Sequence, residues 1–132
     1  MKASVKDGAF CRRAMMQNDD MEVIMYKILS YLYAAQKAGE APREEDFCAQ
    51  SRLFHIPTSY WTDVLQELLD NGYIKGVEIA QYINGPSVDA SHAKITLQGV
   101  QFLRENAGMV KVREFLGNAF ALVLEQVISK LI

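Results

Sequence analysis

The stretch from Pro57 to Ile74 carries side chains whose types and spacing could read a DNA sequence. Its hydroxyl, amide and carboxylate groups recur at helical spacing. In the major groove an amide can pair with adenine and a carboxylate can accept from cytosine, while hydroxyls at a helix start can bind phosphate. The candidate contact residues are Thr58, Ser59, Tyr60, Thr62, Asp63 and Gln66.

The charge of the same stretch opposes this interpretation. It contains Asp63, Glu67 and Asp70 and neither lysine nor arginine. Residues 19–106 carry seven basic and thirteen acidic side chains, whereas residues 1–18 carry four basic and one acidic. Affinity for DNA depends mainly on lysine and arginine side chains that neutralise phosphates. Phosphate contacts would have to come from Arg52, Lys75 and Lys94.

No catalytic or metal-binding motif accompanies these residues. His55 and His92 lie far apart in the sequence, with no serine, cysteine or aspartate at the spacing of a triad or a metal site. The acidic run 44–46 lacks the alternation of a calcium loop and is better explained as favourable charge at a helix start. We therefore expect neither an enzyme nor a cofactor or metal site.

Size and cysteine content favour a single cytoplasmic domain. The chain has 132 residues, half of them hydrophobic, which suits one core and is too short for two ordinary domains. Cys11 and Cys48 form no CxxC pair, and no apolar run follows the basic N-terminus as it would in a secretory signal. We expect reduced thiols and a cytoplasmic location.

Two helices are predicted before Ile56. Asp19 and Glu22 can form a capping box for the first helix, and Gly39 can end it. Between them, mostly apolar residues from Val23 to Ala35 follow a 3.6-residue period and predict its core face. Pro42 suits the first turn of a short second helix, which Phe47 would anchor in the core.

A third helix would place candidate contact residues on its exposed side, namely Ser59, Tyr60, Thr62, Asp63 and Gln66. Thr58 or Ser59 can cap it, and an apolar face from Trp61 to Leu69 predicts that Trp61 is a core residue. Asn71-Gly72 ends it, because glycine takes the left-handed conformation needed there without steric cost.

A hairpin and two more helices complete the chain. Residues 74–83 alternate as in a strand with a bulge at Gly76, residues 84–92 are rich in turn-forming types, and residues 94–95 resume extended structure. Thr96 can cap a helix over 97–106, and Gly108 separates it from a last helix. This order predicts a mainly α fold with a small β-hairpin (α+β), a winged helix-turn-helix with an additional C-terminal helix.

Three regions follow from charge and periodicity. Residues 1–18 form a basic leader without apolar periodicity, which we expect to be disordered; the alternative is an arm that enters a DNA groove. Residues 19–106 form the winged helix-turn-helix domain. Residues 107–132 form the C-terminal apolar helix.

The last helix is apolar around most of its circumference, so it must be buried on most sides. Packing on the first helix explains one face, and a two-fold dimer contact would cover the other. Polar residues interrupt the apolar run, so a membrane span is not expected. The stripe assigned to dimerisation is Leu116, Phe120, Val123, Val127 and Leu131.

Two local patterns resemble those of known winged-helix proteins. LLDNGYI is similar to the end of the reading helix in winged-helix regulators, and ITLQGVQFLRENAG resembles the T-x-x-G-x-x-x-L signature of PadR- and MarR-like proteins, in which the glycine (here Gly99) lets the following helix pack closely. Together they are most similar to the YjcQ-like family of bacterial and phage-associated winged-helix domains, over roughly residues 20–125. The resemblance implies a winged helix and carries over no catalytic or ligand residues.

Two functions fit these observations. The first is a homodimeric transcriptional regulator of phage or mobile-element type that binds double-stranded DNA. The alternative is a winged-helix protein-interaction module without DNA binding, since a fold by itself fixes no function.

Overall fold

The computed structural model describes residues 16–131. Cys11 lies outside these residues. The predicted disordered leader, residues 1–18, lies mostly outside them as well.

Helix α1 (Met21–Lys37) packs against every later helix and forms the centre of the core. It buries the face that its periodicity predicted, and it ends at Gly39, which has a φ of 76°. The expected capping box is wrong, because the N-cap is Asp20, which makes no side-chain cap bond.

Successive turns occupy residues 41–56, which we name the turn segment, in place of the predicted short second helix. Phe47 and Ala49 are both buried although they lie two positions apart. On one helix this spacing would place them on different faces, so the segment instead winds through turns to bury both. The Ile56 N–H donates to the Ala49 carbonyl oxygen at 2.8 Å and closes the segment.

Helix α2 (Thr58–Asp70) follows directly. Trp61, Val64, Leu65 and Leu68 are buried, which confirms the predicted core face and the placing of Trp61. The N-cap is Pro57, without a side-chain cap bond, so the expectation that Thr58 or Ser59 caps this helix is wrong. The helix stops at Asn71-Gly72 as predicted.

The wing is one hairpin in two parts. At its base β1 (Ile74–Lys75) pairs with β4 (Lys94–Ile95), and beyond a break β2 (Glu78–Tyr82) pairs with β3 (Gly85–Asp89). The expectation that 84–92 is a turn-rich connection is wrong, because only residues 83–84 turn before β3 begins. Pro86 fits in β3, where it pairs with Gln81, because each strand of this sheet is an edge strand.

Helix α3 (Leu97–Glu105) is fixed to the base of the wing. The Thr96 hydroxyl accepts from the Gly99 N–H at 3.0 Å and donates to the Gly72 carbonyl oxygen at 2.6 Å. A Cβ at Gly99 would lie 2.2 Å from the Tyr73 carbonyl oxygen. This confirms that Gly99 allows a close approach of the helix.

Helix α4 (Ala107–Leu131) is broken at Gly117, whose φ of 59° and ψ of −153° are not helical. The first part buries Met109 and Val112 against Val23 of α1, and the second part lies along α1 with Phe120 edge-on to Tyr26. The expected continuous last helix is therefore divided in two. No helix among residues 16–131 is long and apolar enough to cross a membrane.

The stripe assigned to dimerisation packs on the chain's own core. Val127 is buried, Leu116 contacts the cluster of Val23, Met109 and Val112, and the remaining members contact the main core. Part of this stripe is therefore used within the chain, and its assignment to a dimer contact stays a prediction. The fold class is as predicted: an α+β winged helix-turn-helix with an additional C-terminal helix.

Candidate functional site

The exposed face of α2 is acidic. Ser59, Asp63 and Gln66 are exposed as predicted, and Glu67 and Asp70 are exposed beside them. The Gln66 amide donates to the Asp70 carboxylate at 2.9 Å, so part of its hydrogen-bonding capacity is used within the helix. No lysine or arginine occurs in α2. The face therefore presents three carboxylates without a cation in the same helix.

Two of the predicted contact residues are not freely exposed. Thr62 is 6% exposed and its hydroxyl donates to the Thr58 carbonyl oxygen at 2.9 Å. The expectation that Thr62 lies on the exposed face is wrong, and its spacing from Leu65 and Leu69 was a signal of burial. Tyr60 is half-buried, and its hydroxyl donates to the Asp19 carbonyl oxygen at 2.6 Å. Burial, followed by the nearby Asp19 carboxylate, raises the pKa of Tyr60.

The three predicted phosphate contacts are divided between two places. Lys75 and Lys94 are exposed and directly paired across the base of the wing. Arg52 is exposed in the turn segment, where it lines a groove against α4 together with Lys27. Thr58 is exposed at the start of α2. The structure thus joins the two lysines and places Arg52 in a separate groove.

A groove between the turn segment and β3, which we name the wing groove, lies beside α2. Its volume is about 440 Å³. Phe47 and Trp61 contribute to its lining, with their ring centroids 5.1 Å apart, and Pro86 and Val88 belong to its wing side. The sequence did not predict the wing groove, because the residues of β3 were expected to form a turn-rich connection.

Carboxylates lie along the wing groove. Glu44 is exposed, and Asp89 receives hydrogen bonds from the Ser91 hydroxyl at 2.8 Å and the Ser91 N–H at 3.1 Å. These hydrogen bonds lower the pKa of Asp89 and favour its charged form. Arg43 also lines the groove, but its guanidinium is paired with Glu45 and Asp46. The free charge at this groove is therefore negative.

The tip of the wing is apolar and uncovered. Tyr82 is 65% exposed and Ile83 is fully exposed at the hairpin turn. Isolated exposed apolar residues need no explanation, but two adjacent ones at the end of a projecting hairpin are suited to contact another surface.

The described residues hold no group of three or more His, Cys, Asp or Glu side chains arranged to bind a metal ion. His55 and His92 are both exposed, and the His92 Nδ1 atom lies 3.2 Å from the Ser91 hydroxyl. Cys48 is a half-buried free thiol that lines the wing groove. These groups do not form a constellation with recognisable catalytic geometry.

A family model described as "YjcQ protein" matches residues 26–118, which is more than half of the chain. The match includes the turn segment, α2, the wing and α3, and it ends one residue beyond the break at Gly117. No curated protein gives a significant match. No solved structure gives one either. On the extent of the family match, this chain belongs to the YjcQ family.

Proposed function

We propose that this protein is a winged-helix module that binds another protein through α2, the wing groove and the wing tip. The observation that carries the proposal is the exposed face of α2, where Asp63, Glu67 and Asp70 are not accompanied by any lysine or arginine of the helix. In the usual docking of a winged helix this helix would enter the major groove between two rows of phosphates. An acidic face in that position repels DNA.

The same surface suits a protein partner that is both basic and apolar. Glu44 and Asp89 supply negative charge at the wing groove, and Phe47 and Trp61 supply an aromatic lining. Complementary charge raises the rate of association, and burial of an apolar side chain in a pocket supplies most of the affinity. A lysine- or arginine-rich segment with an apolar anchor therefore has the chemistry that this face would recognise.

DNA binding by a transcriptional regulator of phage or mobile-element type is the second candidate. One observation favours it: Pro57, the N-cap of α2, makes no side-chain cap bond, so N–H groups of the first turn are available, with Thr58 and Ser59 exposed beside them. Main-chain N–H groups at a helix start can bind phosphate. Lys75 and Lys94 at the base of the wing could add further phosphate contacts.

A DNA titration distinguishes the two candidates. Fluorescence anisotropy would follow mixed-sequence duplex DNA with the full chain at roughly 20 mM and at moderate salt, since phosphate attraction is strongest at low salt. We expect no binding at either concentration. Binding that weakens steeply with salt, with a shallower salt dependence in the Lys75→Ala, Lys94→Ala double variant, would establish the DNA candidate instead.

Matched charge variants test the protein-binding surface. Asp63→Lys with Glu67→Lys reverses two charges on α2, and Glu105→Lys with Glu114→Lys makes the same change in net charge at exposed positions outside α2 and the wing. We expect the wild type and the Glu105→Lys, Glu114→Lys variant to capture the same partner, and the Asp63→Lys, Glu67→Lys variant to lose it. With purified partner, the affinity should be similar for the first two proteins and weaker for the third. Equal retention by both variants would contradict the proposed surface.

A further inference from the structure

A second groove, which we name the α4 groove, lies between α1, the turn segment and α4. Its volume is about 280 Å³, just below the range typical of drug-sized ligands and enough for a smaller molecule. Leu116 and Phe120 line it from either side of the break at Gly117, with Val123 one helical turn further along. The break therefore lies within the wall of this groove.

The charge of the α4 groove is opposite to that of the wing groove. Its charged lining residues are Lys27 and Arg52, and no aspartate or glutamate lines it. Within residues 16–131 neither cation has a carboxylate at ion-pair distance, since the ion pairs in this part of the chain belong to Arg43. Two cations above an apolar lining form an unusual combination in an otherwise acidic domain.

Lys27 is the more constrained of the two cations. It is half-buried on the inner part of α1, and its Nζ atom lies 5.9 Å from the centroid of the Phe120 ring. Burial lowers the pKa of Lys27, which means that its charged form is penalised where it lies. A bound carboxylate would favour the charged form and offset that penalty.

We propose that the α4 groove binds a small organic carboxylate with an apolar chain, which would place its charge between Lys27 and Arg52 and its chain along Leu116, Phe120 and Val123. A guanidinium can hold a carboxylate through two parallel hydrogen bonds, and an ammonium can add a third. The basic residues 1–18 have the wrong charge for this groove, and a polyphosphate chain would leave its apolar lining unused. This site is separate from α2 and the wing.

Isothermal titration of the full chain with octanoate tests the site. Octanol and octylammonium are the matched probes, because they keep the chain and replace the carboxylate. We expect octanoate to bind at least about tenfold more tightly than either, since charge-assisted hydrogen bonds would be lost with the other two. Equal affinity for octanol, or no binding of octanoate, would overturn the proposal.

Variants locate the bound carboxylate. Lys27→Met keeps the length of an apolar side chain in a half-buried position, and Arg52→Gln keeps a polar side chain in an exposed one, so both should fold. Each should weaken octanoate binding by about tenfold or more, whereas Lys75→Met at the wing base should leave it unchanged. In the wild type, octanoate should also raise the pKa of Lys27, followed by NMR of its side chain. Unchanged affinity in both groove variants would overturn the proposal.

The α2 charge-reversal variant separates this site from the proposed function. Asp63→Lys with Glu67→Lys should retain octanoate binding, because neither residue lines the α4 groove. Loss of octanoate binding in this variant would show that the carboxylate is not held by the α4 groove.

Discussion

The Tyr60 hydroxyl donates a hydrogen bond of 2.6 Å to the Asp19 carbonyl oxygen and so joins the first turn of α2 to the segment before α1. Tyr60→Phe removes this bond and keeps the ring. We expect the free energy of unfolding, measured by urea denaturation at neutral pH, to fall by about 0.5–1.5 kcal/mol. Tyr82→Phe at the exposed wing tip is the control and should change it by less than about 0.5 kcal/mol. Equal stabilities of the two variants would contradict the bond.

Tyr60 should also make the free energy of unfolding depend on pH. The pKa of Tyr60 is raised in the folded chain, first by burial and then by nearby carboxylates, so the folded state holds the phenolic proton more tightly than the unfolded state. The resulting stability is complete below the unfolded tyrosine pKa of about 10 and is lost as pH rises through the folded value. The advantage of wild type over Tyr60→Phe should therefore be constant at neutral pH and shrink as pH rises above about 10. Tyr31, whose pKa is also raised, is present in both proteins and cancels in the comparison.

Gly99→Ala tests the contact between α3 and Tyr73, which lies between α2 and β1. The added Cβ would lie 2.2 Å from the Tyr73 carbonyl oxygen and 2.7 Å from the Ile95 Cγ1 atom. Because the first of these is main chain, the helix itself must shift, and we expect the free energy of unfolding to fall by about 1–3 kcal/mol. Gln101→Ala, exposed on the same helix, is the control. A gain in stability for Gly99→Ala, as for an ordinary helical glycine, would contradict the close approach.

The break in α4 is tested by whether Gly117→Ala lowers or raises the free energy of unfolding. A Cβ at this position meets no atom within 4 Å, so any cost comes from the backbone conformation alone. At a φ of 59° and ψ of −153° we expect a loss of about 1–3 kcal/mol in thermal or urea unfolding. In a continuous helix the same substitution would instead stabilise by about 1 kcal/mol. Asn118→Ala, the exposed neighbour, serves as the control.

Two adjacent substitutions in α4 test which of its faces is covered. Val123 packs against the core, whereas Leu122 is 59% exposed. Val123→Glu should lower the free energy of unfolding by about 1–3 kcal/mol, because a partly buried apolar side chain would be lost and a carboxylate partly desolvated in its place. Leu122→Glu should change it by no more than about 0.5 kcal/mol. Similar losses in both variants would contradict the orientation of the helix.

The homodimer stays a prediction, and the same variant tests it. Phe115 and Leu122 are exposed on α4 beside the partly buried stripe and could extend its contact. Sedimentation of the wild type should then show a dimer that Leu122→Glu dissociates. A monomeric wild type would exclude the dimer.

Features set by local sequence were predictable. The core faces of α1 and α2 follow from apolar periodicity, and their ends follow from Gly39 and Gly72, which take positive φ values. Gly99 could also be anticipated, through the resemblance of its surrounding motif to winged-helix proteins. In each case the signal lies within a few residues of the feature that it determines.

Features set by distant contacts were not predictable. The turn segment has helix-forming residues after Pro42, yet the core requires Phe47 and Ala49 to be buried together. Proline usually disfavours a strand, but Pro86 is tolerated because both strands of the two-stranded wing are edge strands. The half-burial of Tyr60 has the same kind of cause, because its bond to Asp19 spans 41 residues.

The break at Gly117 also separates residues 118–131 from the rest of the fold in the free energy needed for local opening. Within 118–131 only Val127 is buried, whereas α1 buries seven residues. A segment with so few buried side chains separates from the core at a lower free energy than global unfolding, so its amides should exchange with deuterium before those of α1. Phe120 and Val123 belong to that segment, so its opening would widen the α4 groove, and a ligand bound there would slow the exchange of 118–131.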